Sequence, residues 1–151
     1  MKRELKFRAW DEMNKVMHYD FQFIKSGDEG NDWIIFISDK FPLTEYKTNP
    51  FSNPNPYFAQ QLKIMQFTEL TDKNRKEIYE GDILKISSEN SSGTVRKGIY
   101  EVDYFAGGFS MKRKSWDEII RSHLGEFPNG NTEVIGNIYE NENLIEAGEK
   151  L

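Results

Sequence analysis

Residues 4–10 alternate, with Leu5, Phe7 and Ala9 on one face and Lys6 and Arg8 on the other. This is the period-two pattern of a half-buried strand. Turn material at 11–15 separates it from an apolar, aromatic stretch at 16–23, and together they predict an N-terminal β-hairpin. Residues 25–32 are rich in Gly, Asp and Asn and read as a loop. The run WIIFI at 33–37 is too short for a helix and β-branched, so it predicts a buried strand. Residues 39–56 hold Pro42, Pro50, Pro54 and Pro56, which block both helix and central strand, and predict a long loop. A strand is expected within 58–67, a polar turn at 71–76 and a sharp turn at Glu80, Gly81 and Asp82, with Gly81 at positive φ. Ile83, Leu84 and Ile86 then lead a strand. Residues 87–94 read as a flexible hairpin tip, and 98–105 and 109–112 as two strands joined through Gly107 and Gly108.

The pattern changes period after Ser115. Ser115 with Glu118 forms a capping box, Ile119, Ile120 and Leu124 share a helical face, and Gly125 stands where a helix ends. These signals predict a helix over 116–124. Alternation returns at 132–139, and 142–148 fits a short terminal helix. The sum is one mostly β (α+β) domain over 1–151, with 26–60 as a loop-rich insertion. Its core is expected to be an SH3-like β-barrel over 60–112 and 132–139, carrying an N-terminal β-hairpin and one or two short helices.

Mean hydropathy is −0.73 and 30% of residues are charged, a balance that can signal disorder, yet 14% are aromatic, which a disordered chain lacks. A folded domain with long polar loops reconciles the two. The net charge of −5 argues against a dedicated duplex-DNA binder. The absence of cysteine excludes disulfide scaffolds and thiolate metal sites. No apolar run follows the basic start and none approaches membrane-spanning length, so a cytoplasmic location and no membrane partner are expected.

Three blocks carry a resemblance: FRAWD at 7–11; MQFT at 65–68 leading to DKNRKEIYEGDI at 72–83; and EVIGNIYEN at 133–141. Together and in this order they resemble the YopX family, found mostly in bacteriophages and prophages. The resemblance implies a phage or prophage accessory protein and carries over no catalytic residue. Family members have Gly where this chain has Glu69 and Arg75. Asn-Gly favours a type I′ turn because both central residues need φ > 0. Asn74-Arg75 strains such a turn or adopts another.

Candidate chemistry is sparse. His18 and His123 form no ligand pair, and no Ser sits in a nucleophile elbow. Glu80, Asp82 and Asp117 are the carboxylates that a metal-dependent hydrolase would use, but turn and helix-dipole chemistry explains them without metal. No catalytic residue, metal site or cofactor is therefore assigned. Two surfaces remain. Arg96 and Lys97, with Lys112, Arg113 and Lys114, come to one end of a hairpin beside Trp116 and would hold a nucleic acid, or simply snorkel at a sheet rim. Phe41, Tyr46, Phe51, Tyr57 and Phe58 interleave with Pro and Asn and would make a protein contact, or fold back as plugs. The leading expectation is a non-enzymatic module acting through an unidentified protein partner or as a homo-oligomer. Nucleic-acid binding is the first alternative and metal-dependent hydrolysis the second.

Overall fold

β-branched and aromatic residues at alternate positions pair into antiparallel strands along most of the chain. The computed structural model describes residues 5–12, 14–19, 21–26, 33–38, 62–89, 95–115, 118–126 and 131–148. The chain divides into two units, Lys6–Met65 and Gln66–Leu151 with the first five residues.

In the first unit, β1 (Phe7–Asp11) and β2 (Val16–His18) form the expected hairpin, pairing Ala9 with His18 and Asp11 with Val16. The Asp11 carboxylate closes the turn, accepting the Asn14 amide at 3.0 Å and the Asn14 side chain at 2.8 Å. The simple alternation does not hold here, because Arg8, Ala9, Trp10 and Asp11 are all buried. Arg8 spends its Nε proton on the Met65 sulfur at 3.4 Å. The aromatic stretch after residue 16 is two strands, since β3 (Phe21–Ser26) leaves β2 and pairs instead with β4 (Trp33–Ser38). The first residues of β5 (Leu62–Thr71) complete this unit; the later residues of β5 pair with β6 (Glu77–Tyr79), Phe67 with Tyr79 and Thr71 with Glu77. The aromatic loop residues Phe41, Tyr46, Phe51, Tyr57 and Phe58 lie outside the described residues.

The second unit is built on a five-stranded antiparallel sheet. Its order is β10 (Glu118–His123), β9 (Gly108–Ser115), β8 (Val95–Phe105), β7 (Asp82–Glu89), β11 (Thr132–Asn137). A short helix, α1 (Asn143–Gly148), follows as expected. One sheet face gathers Leu84, Ile86, Tyr100, Val102, Met111 and Val134 with Ile78 and Leu124 into the core. Truncating any such fully buried aliphatic costs about 2–5 kcal/mol. Gly81 enters β7 at φ 76°, the positive value that its turn required. β7 runs on to Glu89, so residues 87–89 are paired strand rather than hairpin tip.

The helix expected over 116–124 is not formed. Residues 118–123 are strand, paired with β9 from Glu118↔Ser115 to His123↔Ser110, and Leu124–Glu126 makes one 3-10 turn. Adjacent Ile119 and Ile120 fit a pleat at least as well as a helix. The neighbouring β9 edge supplies a hydrogen-bond ladder that local capping signals cannot match. Ser122 and Leu124 are then buried at period two, while Ile119 stays 59% exposed.

Both positions where the resemblance led to glycine are left-handed. Glu69 has φ 66°, at the irregularity between the pairs Phe67↔Tyr79 and Thr71↔Glu77, and Arg75 has φ 66°. The turn at 72–75 closes through the Arg75 amide to the Asp72 carbonyl at 3.0 Å, with Arg75 rather than Asn74 left-handed, so a different turn replaces type I′. The buried Asp72 carboxylate organises it, accepting the amides of Asn74 (2.7 Å), Lys76 (2.9 Å) and Val134 (3.0 Å). Burial pushes this carboxyl up, but those amides outweigh burial and hold it below its ordinary 3.8.

Two predictions follow from these turns. Arg75→Gly and Glu69→Gly each raise stability by about 1 kcal/mol by removing a left-handed side chain, read in urea melts; unchanged or lower midpoints contradict this. Asp72→Asn lowers stability by about 2 kcal/mol at neutral pH. A carboxyl held low in the folded state stabilises above its unfolded value and loses that stabilisation as pH falls through the folded one. The gap between wild type and Asp72→Asn therefore narrows as pH drops below 3.8, measured by melts across acid pH.

Candidate interaction site at the β8–β9 turn

On a pleated sheet the residues between core positions face the other way. In β8 these are Glu101, Asp103 and Phe105; in β9, Gly108, Ser110 and Lys112; in β10, Arg121 and His123. Register sets them side by side: Glu101 and Arg121 flank Lys112, Asp103 and His123 flank Ser110, and Phe105 faces Gly108. The Lys112 ammonium lies 2.9 Å from Glu101 and 3.6 Å from Asp103. Arg121 Nη2 donates to Asp103 Oδ2 at 2.9 Å, and the Ser110 hydroxyl donates to the other Asp103 oxygen. Burial raises the Asp103 pKa, but the bonds from Ser110 and Arg121 and the charge of Lys112 bring it below its ordinary value. Two acids and two bases thus cancel on this face.

The strands end in an exposed aromatic tip. The central turn residues are Ala106 (φ 50°) and Gly107 (φ 86°), one position earlier than the Gly107-Gly108 pair expected. Positive φ at both is the type I′ hairpin pattern, and glycine takes it freely while Ala106 bears a left-handed Cβ. Phe105 and Tyr104, on opposite faces, are 54% and 57% exposed. The Arg121 guanidinium stacks 4.3 Å from the Phe105 ring centre, and Tyr104 meets Phe109 edge-on at 5.5 Å. A groove of about 410 Å³ opens beside them, lined by Phe105, Gly107, Ser110, Arg121, His123 and Glu126 among others.

Asp103, Ser110 and His123 invite a hydrolytic reading that their hydrogen bonds do not support. A catalytic His accepts the Ser proton on one nitrogen and donates from the other to Asp. Here the Ser110 proton goes directly to Asp103, and His123 Nδ1 accepts the Gly125 amide at 3.1 Å. The neutral ring therefore carries its proton on Nε2, a donor and not a base.

The expected basic cluster divides between faces. Lys112 joins the acids just described. Arg113 turns to the other side, 5.5 Å from the Tyr100 ring centre, where its Nη1 donates to the Lys97 carbonyl at 3.4 Å. Arg113 and Lys97 are thus brought together and Lys112 is not. Tyr100 is buried and offers no stacking surface. Arg96 stands opposite Ser88 and Lys114 opposite Ile119, but their side chains, and Trp116 altogether, lie outside the described residues. Of the carboxylates weighed as metal ligands, Asp82 is buried and accepts the Tyr79 amide at 2.8 Å, as a turn residue does, and Asp117 lies outside the described residues. Among the described residues no three His, Asp or Glu side chains gather to hold a metal ion, and no helix is long and apolar enough to cross a membrane. Phe105 and Arg121 were not singled out from sequence, and His123 was weighed there only as a metal ligand or catalytic residue. The alternation through 101–105 and 108–112 signalled half of this face, but the helical pattern at 116–124 concealed β10.

The described residues define a mostly β protein with a sheet whose polar face is charge-balanced and ends in an exposed aromatic turn. Residues 6–146 match the model of the YopX protein family, and the chain belongs to that family. Among solved structures it is similar to protein EF1440 from Enterococcus faecalis, at 28% identity and a TM-score of 0.52, over 95% of this chain and 99% of that one. It is also similar in fold to protein yopX from Bacillus subtilis, at 21% identity and a TM-score of 0.51, over 92% and 96%. No curated protein matches it.

Replacing Asp103 with Ala leaves Lys112 to Glu101 alone, strands Arg121 on a half-buried face and frees its stack on Phe105. The expected cost is about 2 kcal/mol by denaturant melt, with greater mobility at Phe105 seen as sharper NMR signals. A loss below about 0.5 kcal/mol would mean the cluster is a solvated surface.

Proposed function

We propose that this protein is a non-enzymatic binding module that engages a partner protein through the β8–β9 hairpin end. The observation that carries this reading is the pair Tyr104 and Phe105, each more than half exposed on a turn with left-handed Ala106, with Arg121 stacked on Phe105. Tyr and Arg are the side chains most often found as interface anchors, and strained backbone clusters at functional sites. The groove beside the ring gives a contact its concavity. A phage or prophage accessory role in the bacterial cytoplasm, with a second copy of the chain as one available partner, belongs to the same proposal. So does an SH3-like curl of the five-stranded meander. The aromatic residues Phe41, Tyr46, Phe51, Tyr57 and Phe58 are proposed as a separate protein contact. Nucleic-acid binding is the weaker reading: it keeps the neighbouring Lys97 and Arg113, while Lys112 is occupied by Glu101 and Asp103.

Selection of displayed random peptides on the full chain tests the proposal. Wild type should enrich a related peptide set, and Tyr104→Ala and Phe105→Ala should each weaken the selected peptide at least tenfold. Their melting should shift little, since both rings are exposed. No enrichment, or affinity indifferent to both substitutions, overturns the reading.

A further inference from the structure

The groove beside Phe105 has a chemistry that narrows what enters it. Arg121, the cation that lines it, is already matched by Asp103 at 2.9 Å, and the neighbouring Lys112 lies 2.9 Å from Glu101 and 3.6 Å from Asp103. No cation is left over there to draw a carboxylate or phosphate, and Glu126 at the rim adds a negative charge. His123 supplies a directed polar group. His123 lies with its ring between Gly108 and Gly125: a Cβ at Gly108 would sit 3.4 Å from Nε2, and one at Gly125 would sit 3.2 Å from Nδ1. Two glycines thus leave room for the imidazole. The Gly125 amide fixes which nitrogen donates, so Nε2–H is the free donor. Phe105, with its exposed ring, and Ala106 supply the apolar part of the wall, beside Gly107, which has no atom within 4 Å of where a Cβ would stand.

We propose that this groove receives an uncharged, apolar segment of the partner protein, an apolar side chain resting on Phe105 and a carbonyl oxygen accepting from His123 Nε2–H. The inference rests on the hairpin-end reading above and adds the partner's chemistry. A charged segment would lose hydration without gaining a counter-charge, whereas an amide carbonyl satisfies the donor and an apolar side chain covers the ring. Acidic peptides and nucleic acid are therefore disfavoured occupants.

The test uses peptides selected on the wild-type protein, fluorescently labelled and titrated with that protein. Selected sequences should carry an apolar residue and no net charge. Affinity should change less than about twofold between about 50 and 200 mM salt, where phosphate-driven binding falls steeply. His123→Ala should weaken binding about tenfold and His123→Gln, which keeps an N–H donor, should recover most of it. Gly108→Ala, which presses a methyl toward Nε2, should weaken binding without altering His123. Selection of charged peptides, a steep salt dependence, or indifference to both His123→Ala and Gly108→Ala overturns the inference. If Phe105→Ala abolishes binding while His123→Ala does not, the hairpin-end reading stands and the inference falls. If neither substitution matters, both fall.

Discussion

The larger unit depends on how β7 enters its sheet. Gly81 turns the chain at φ 76°, its amide donating to the Val102 carbonyl at 2.8 Å and its carbonyl accepting from the Ile138 amide at 2.9 Å. One residue thereby ties β8 to the chain that leaves β11. Asp82 adds a carboxylate bond to the Tyr79 amide. Once β7 starts in register, Leu84 falls opposite Tyr100 on one side and Val134 on the other. The core closes over those three positions, and Ile83, Leu84 and Ile86 are fully buried. A slip of one residue would turn this apolar set to the opposite face, so the short Gly81 turn fixes the orientation of every side chain downstream.

Among the non-glycine residues with left-handed backbone, Glu69, Arg75 and Ala106 show where the chain accepts local cost for global geometry. Glu69 sits at the break in β5–β6 pairing, where the Thr68 hydroxyl bridges the strands to the Ile78 carbonyl at 2.8 Å. Arg75 ends a turn gripped by Asp72, whose Oδ2 also holds the Val134 amide. Both are over-determined by buried hydrogen bonds, which is how such conformations persist. Ala106 differs, because its turn carries exposed rings instead of a buried network. Strain there is spent on holding Tyr104 and Phe105 out at the tip, which fits a contact surface better than a structural corner.

The face opposite the core has a logic of its own. Cross-strand register, not sequence proximity, assembles Glu101, Asp103, Ser110, Lys112, Arg121 and His123 from three strands. Their charges are internally spent, which lets Arg121 serve as a flat cover for Phe105 rather than as a phosphate clamp. Under the proposed binding role, such a surface would select by shape and hydrogen bonding more than by charge. That character separates the groove from the Arg113 and Lys97 side of the same hairpin.

The residue pattern alone determined most of the strands: the β1–β2 hairpin, the WIIFI strand, the Gly81 turn, the β8–β9 pair and the terminal helix. It did so because period-two alternation and turn residues act locally. The three sequence blocks led to the family for the same reason, since each encodes a turn or strand by itself. Tertiary structure decided the rest. Residues 118–123 carry helix caps and helical spacing, yet the unsatisfied edge of β9 made them a strand, because a full ladder outweighs a cap. That one change placed Arg121 beside Asp103 and His123 beside Ser110. Likewise Lys112 and Arg113 are one basic run in sequence but face opposite ways on a pleat, and only the pairing with Glu101 and Asp103 decided which of them is neutralised. Local propensity is written in neighbours along the chain; the site is written in neighbours across strands, which no single segment contains.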